Sequence, residues 1–213
     1  MDAITDDSNL WLAASRAHDS GEFDSAISLY LTDIKNCLSR NSLSRAALSC
    51  SCGADCLLRI GMVEEAKRLY FESAVLSELN SELMIGRSVR ESLWSLLQAY
   101  DHFLFIADDS RAEMVYHKFV SLSRRTNPID GESEAINVLR ARKHESRLTD
   151  AISQATSMTV KTSSDRMAAI RQEIESIIRA RTKLDISRSG VDFSLKESFE
   201  ERSSIHIEGS IVS

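Results

Sequence analysis

A chain of 213 residues with a formal charge of −6 is long enough to bury a substantial core, and its mild acidity argues against a chain-wide nucleic-acid footprint. One proline (Pro128), seven glycines and few aromatics, beside abundant Leu, Ile, Ala, Arg, Glu and Ser, favour long helices over sheets. The acidic start MDAITDDSNL lacks the basic and apolar regions of a signal sequence, the longest apolar run (Phe103–Ala107) is too short for a bilayer, and no cysteine framework suggests secretion. The expectation is a soluble cytoplasmic protein with no membrane insertion and no nucleic-acid partner.

In chain order, Asp6 to Ser8 can cap a first helix running to about Ser20, and Gly21 can end it in a left-handed conformation that other residues resist. A return helix follows to about Leu38. Ser42 can cap a third helix reaching Ile60, where Gly61 repeats the punctuation, and a second return ends near Leu79. A long helix is expected from about Glu82 to Ile106, with Val89, Leu93, Leu96, Leu97, Tyr100, Phe103 and Leu104 at helical spacing. Its return ends near Arg125, and Asn127-Pro128 punctuates the chain, because the residue before proline avoids the helical region.

These elements repeat. GEFDSAISLY (Gly21–Tyr30) and GMVEEAKRLY (Gly61–Tyr70) align without gaps, and ADDSRAEMVY (Ala107–Tyr116) is a third copy with alanine in the glycine place. The anchors Ala26/Tyr30, Ala66/Tyr70 and Ala112/Tyr116 put a small and a large residue on one helix face, so that a partner helix can approach beside the ring. Acidic residues after the turns, such as Glu64-Glu65 and Asp108-Asp109, suit the positive ends of the helices that follow. On these residues, about 8–126, the chain resembles the tetratricopeptide repeats. The 34-residue period is stretched to intervals of 40 and 46, the unit-ending proline is missing from the first two copies, Asp33 and Ser73 stand where a small apolar residue is usual, and Tyr100 where a small one is preferred. The longer repeats resemble the SNAP-like branch, adaptors that present helical surfaces to a disassembly ATPase and its substrates.

Beyond Pro128 the pattern reads as two further long helices (129–186) and a flexible tail (187–213), so an all-α fold is expected, and for residues 1–128 the resemblance implies an α-solenoid of about three antiparallel helical hairpins. It also implies a concave face carrying Trp11, Ser15 and His18 from the first unit, Ser51, Asp55, Leu58 and Arg59 from the second, and Trp94, Leu97, Asp101 and Phe105 from the third. Trp11, Ser15, Asp55, Arg59, Trp94 and Asp101 are the candidate partner-binding residues, both tryptophans among them. The positions matching the family's carboxylate clamp are Trp11, Ser15, Cys52, Trp94 and Gln98; none is a cation, which argues against a clamp.

Cys50, Cys52 and Cys56 crowd the stretch CSCGADC, with Cys37 upstream. In a helix Cys50 and Cys52 point about 200° apart, and the remaining i,i+4 pair is short of a four-coordinate zinc site. Packing is the expectation, with Gly53 and Ala54 as the small residues of a close crossing; a metal- or thiol-responsive regulator using Cys37, Cys50, Cys52 and Cys56 is the alternative. No phosphate loop, dinucleotide fingerprint or nucleophile elbow is found, and the five histidines are scattered. A non-catalytic interaction scaffold without a cofactor follows as the expectation.

After Pro128, residues 130–156 read as one helix with Ile136, Leu139, Leu148, Ile152 and Ala155 on its apolar face. The polar stretch Thr159–Ser164 separates it from a second helix, about 165–185, whose stripe is Met167, Ile170, Ile174, Ile177 and Leu184. That stripe can cap the open end of the array or form a homodimer through residues 165–184. SIHIEGSIV (Ser204–Val212) alternates like a short strand pair in a mobile tail.

Overall fold

The computed structural model describes residues 9–145 and 163–204, with side chains for 9–142 and 163–184. Every regular element among them is helical: α1 (Leu10–Asp19), α2 (Phe23–Ser39), α3 (Leu43–Arg59), α4 (Val63–Met84), α5 (Val89–Phe105), α6 (Asp109–Thr126), α7 (Gly131–Glu145) and α8 (Ser164–Ser204). Each helix from α1 to α7 packs on its neighbour in the chain, and α7 also touches α5. No helix among the described residues is long and apolar enough to cross a membrane. The chain divides into one compact unit ending at Ile177 and a second beginning at Ile178, which holds the rest of α8.

One turn is used four times. At the end of α1, Gly21 N–H donates to His18 O and Glu22 N–H to Ala17 O, the paired bonds that satisfy the last carbonyls of a helix around a left-handed residue. The same pair recurs as Asn41/Ser42 after α2, Gly61/Met62 after α3 and Ala107/Asp108 after α5. The left-handed residues have φ of 76° (Gly21), 57° (Asn41), 80° (Gly61) and 61° (Ala107). The residue after each one is already the N-cap of the next helix, so these connections are three residues long. Asn41 fills the role the sequence reading gave to glycines, and Ala107 fills it against its own steric preference.

The anchors pack as their spacing predicts. Ala26, Tyr30, Ala66, Tyr70 and Ala112 are buried, whereas Tyr116 is half-buried. Tyr100 is buried on α5 with its ring 6.5 Å from Tyr116. Gly53 and Ala54 are buried at the α3 crossing, where a Cβ on Gly53 would stand 3.4 Å from both Tyr30 Cβ and Leu69 Cδ1. The two polar departures from the pattern have partners. Asp33, buried on α2, accepts from Arg45 Nε (3.2 Å) and Ser49 Oγ (2.6 Å), and Ser73, buried on α4, donates to Ala47 O (2.7 Å). Buried polar groups persist where hydrogen bonds compensate their desolvation.

Several boundaries differ from the sequence reading. Asn9, not Asp6 to Ser8, caps α1, its Oδ1 accepting from Leu12 N–H at 3.4 Å. The second return helix runs to Met84, and the next begins only at Val89, capped by Ser88. The extra turn of α4 is held by a polar seam: Asn80 Nδ2 donates to Ser95 Oγ (2.9 Å), and Ser92 Oγ donates to Ser81 O (2.9 Å). On α7 the buried residues are Ala135 and Leu139 rather than Ile136, because Gly131 lies against α6, where a Cβ would come within 2.4 Å of Ser123 O. That contact fixes the i, i+4, i+8 face of α7 inward. Leu148, Ile152, Ala155 and, of the Thr159–Ser164 stretch, Thr159 to Thr162 lie outside the described residues.

The C-terminal helix departs furthest. α8 continues to Ser204, through most of the segment expected to be a tail from residue 187, and only Ser204 of the expected strand pair is described, as helix. The stretch Leu195–Glu201 is rich in good helix formers. Ile170, Ile174 and Ile177 are buried, with ion pairs around them to α2 and α4. Of the expected stripe, Ile170, Ile174 and Ile177 are buried against their own chain, and Met167 and Leu184 are only partly buried.

Candidate functional site

The six candidate residues do not converge on one site. Trp11, half-buried on α1, lies under the Arg45 guanidinium, 5.1 Å from its ring, a cation–π contact that ties it to α3. Ser15 is partly buried on the same helix. Asp55 and Arg59 are exposed one turn apart on α3. Asp101 on α5 accepts from Arg142 Nη1 of α7 at 2.9 Å. Trp94 stands apart, 58% exposed near the start of α5.

Around Asp55 the structure gathers groups from three helices. The Tyr70 hydroxyl of α4 donates to Asp55 Oδ1, and the Tyr70 ring lies 4.6 Å from Phe105 and 5.6 Å from His102, both on α5. Burial raises the Asp55 carboxyl above its usual range against the opposing pull of the Tyr70 hydrogen bond, even though solvent reaches part of the residue. Burial, then the Asp55 charge, raises the Tyr70 phenol. Burial lowers His102 to about 4, and its Nδ1 has no hydrogen-bond partner. At neutral pH His102 is therefore an uncharged ring, and Tyr70 is a hydrogen-bond donor.

Trp94 borders a cavity of about 800 Å³ lined by Val89, Leu93, Trp94, Leu97 and Phe119, with Ser88, Arg90 and Glu91 around it. Val89, Leu93 and Leu97 follow helical spacing on α5, and Phe119 comes from α6. An exposed tryptophan on an apolar wall is uncommon on a protein surface without a role, since its large ring gains most from a partner that removes it from water. Of the lining residues, the sequence named Trp94 and Leu97 for a concave face and Val89, Leu93 and Leu97 for their helical spacing, and did not single out Phe119. The one signal for Phe119 was its position two turns after Ala112 on the same helix face.

The cysteines lie apart from this groove. Cys37, Cys50 and Cys56 are buried and Cys52 is partly exposed. Cys37 lines a polar pocket of about 340 Å³ with Asp33 and Arg45, and its thiol donates weakly to Asp33 Oδ2 at 3.8 Å. Burial raises Cys37 to about 11 and Cys56 to about 12, and raises Cys50 and Cys52 as well, so the thiolate form is suppressed at all four. Among the described residues no group of three or more His, Cys, Asp or Glu side chains is placed to hold a metal ion.

Comparison with protein-family models, with curated proteins and with solved structures gives no match.

Proposed function

We propose that this chain is a non-catalytic adaptor of the cytoplasm that binds a protein partner through the Trp94 groove, on an array of tetratricopeptide-like helical hairpins. The recurring Ala-x-x-x-Tyr anchors and the four identical turns support the hairpin array, and the stretched period supports the SNAP-like variant of it. The observation that carries the reading is the exposure of Trp94 on an apolar wall. Trp11, Ser15, Asp55, Arg59 and Asp101 then serve as framework or rim, with Trp94, Leu93 and Val89 as the contact surface.

The test is selection of displayed peptides on the full chain, followed by affinity measurement on variants. Trp94→Ala should weaken selected peptides by about 30-fold or more, the loss of a binding hot spot, while Trp11→Ala leaves them unchanged. Equal affinity for Trp94→Ala, or loss confined to Trp11→Ala, refutes the reading.

A further inference from the structure

The first turns of α8 carry a pattern that the Trp94 reading does not use. Arg166 Nη2 donates to Asp24 O (2.9 Å) and to Ser28 Oγ of α2, and Glu173 accepts from Lys35 of α2. On the other flank Arg171 pairs with Glu65 and Glu175 with Arg68, both of α4. At about 100° per residue, Arg166 and Glu173 share one edge of the helix, Ile170, Ile174 and Ile177 fill the next sector of about 60°, and Arg171 and Glu175 come about 60–100° beyond. The helix is thus seated between α2 and α4, its isoleucines inward and its charges along both edges.

Register is written into those charges. Along α8 two arginines come first and meet acids, and then two glutamates meet bases. Sliding the helix by one turn would set Arg171 against Arg68, and by two turns Arg166 against Lys35, and both pairs repel. Each pair has at least one largely solvated partner, so each holds the seat closed by only a factor of about two to five and is weakened by salt.

We propose that the seat between α2 and α4 is a docking surface for an amphipathic partner helix, and that Arg166–Ile177 is the chain's own occupant, closing it until displaced. The partner has branched aliphatic residues at i, i+4 and i+7, basic residues leading and acidic residues following. The complementary charge order of Asp24 and Glu65, then Lys35 and Arg68, selects it. This surface is separate from the Trp94 groove and does not depend on it.

A labelled synthetic peptide of residues 163–178 is the probe, and the full-length chain is the receptor. The wild type should exclude the peptide at low salt. An Ile174→Asp chain, which carries a carboxylate into the seat, should admit it at least 10-fold more tightly. Hydrogen exchange supplies a second measurement on a gentler variant. Glu173→Lys with Glu175→Arg should lower protection of residues 166–177 by about 10- to 100-fold, without change in α2 or α4, and adding Lys35→Glu with Arg68→Glu should restore it. Equal peptide binding by wild type and Ile174→Asp, or protection of α8 insensitive to the reversals, overturns the proposal. So does a wild-type chain that doubles in mass by exchanging α8 between copies.

Discussion

Ala107 is an L-residue held in the left-handed region, and relieving it should stabilise the protein. Its φ is 61°, in the same turn that Gly21 and Gly61 make at 76° and 80°. The left-handed conformation costs a residue with a Cβ about 1–2 kcal/mol, while glycine gives back about 0.4–1 kcal/mol through the freer unfolded chain. Ala107→Gly should therefore gain about 0.5–1 kcal/mol, which for a chain of this size raises Tm by about 1–4 °C. The reverse change has a clean control at Gly61, where a new Cβ would meet nothing within 4 Å, so that Gly61→Ala reports backbone strain alone. It should destabilise by about the same amount. Asn41→Gly should gain less than Ala107→Gly, because asparagine tolerates the left-handed region. Urea titration of the four proteins at one pH is the assay. An Ala107→Gly that is neutral or destabilising while Gly61→Ala is clearly harmful refutes strain at Ala107.

Three further outcomes follow from the packing. Gly131→Ala should destabilise by about 1–3 kcal/mol, because the Cβ would stand 2.4 Å from a backbone oxygen, and hydrogen exchange should place the loss at the start of α7. Burial lowers His102 to about 4 from 6.5, so stability is full above pH 6.5 and is lost as pH falls towards 4, because the unfolded chain takes up the proton first. Denaturant titrations should show a wild-type loss over that range about 2–3 kcal/mol greater than for His102→Gln, and parallel curves would refute it. Asp33→Ala should cost about 2–3 kcal/mol by leaving Ser49 Oγ and Arg45 Nε without their shared acceptor, with a change in Trp11 emission as Arg45, still held by Asn9, shifts on its ring.

What the sequence made legible is what local chemistry decides. Glycine before an acidic helix start foretold two of the four identical turns, and Ala/Tyr spacing foretold the buried faces of α2 and α4. The turn at Asn41 was hidden because asparagine signals the left-handed region less loudly than glycine does. The end of α4 was misplaced for a different reason: nothing local continues the helix through the polar pair Asn80-Ser81, which only Ser95 and Ser92 across the interface make a buried seam. Trp94 and Trp11 were given the same expected role; what distinguishes them is Arg45, a neighbour of Trp11 contributed by another helix. The seat of α8 was illegible because its register is set by charges that lie far away along the chain.

That separation also bears on how the protein assembles. From α1 to α7 the main contacts join consecutive helices, with α7 also reaching α5, a low-contact-order arrangement whose parts meet without closing long loops. The Lys35–Glu173 pair, by contrast, closes a loop of 138 residues, and Arg171–Glu65 one of 106. Loop-closure entropy makes such contacts form late. On the ribosome, where synthesis runs at about 5–20 residues per second, α2 and α4 exist for several seconds before their occupant is made. During that interval the seat is open on a nascent chain, and a chaperone or partner able to read it has its first access then.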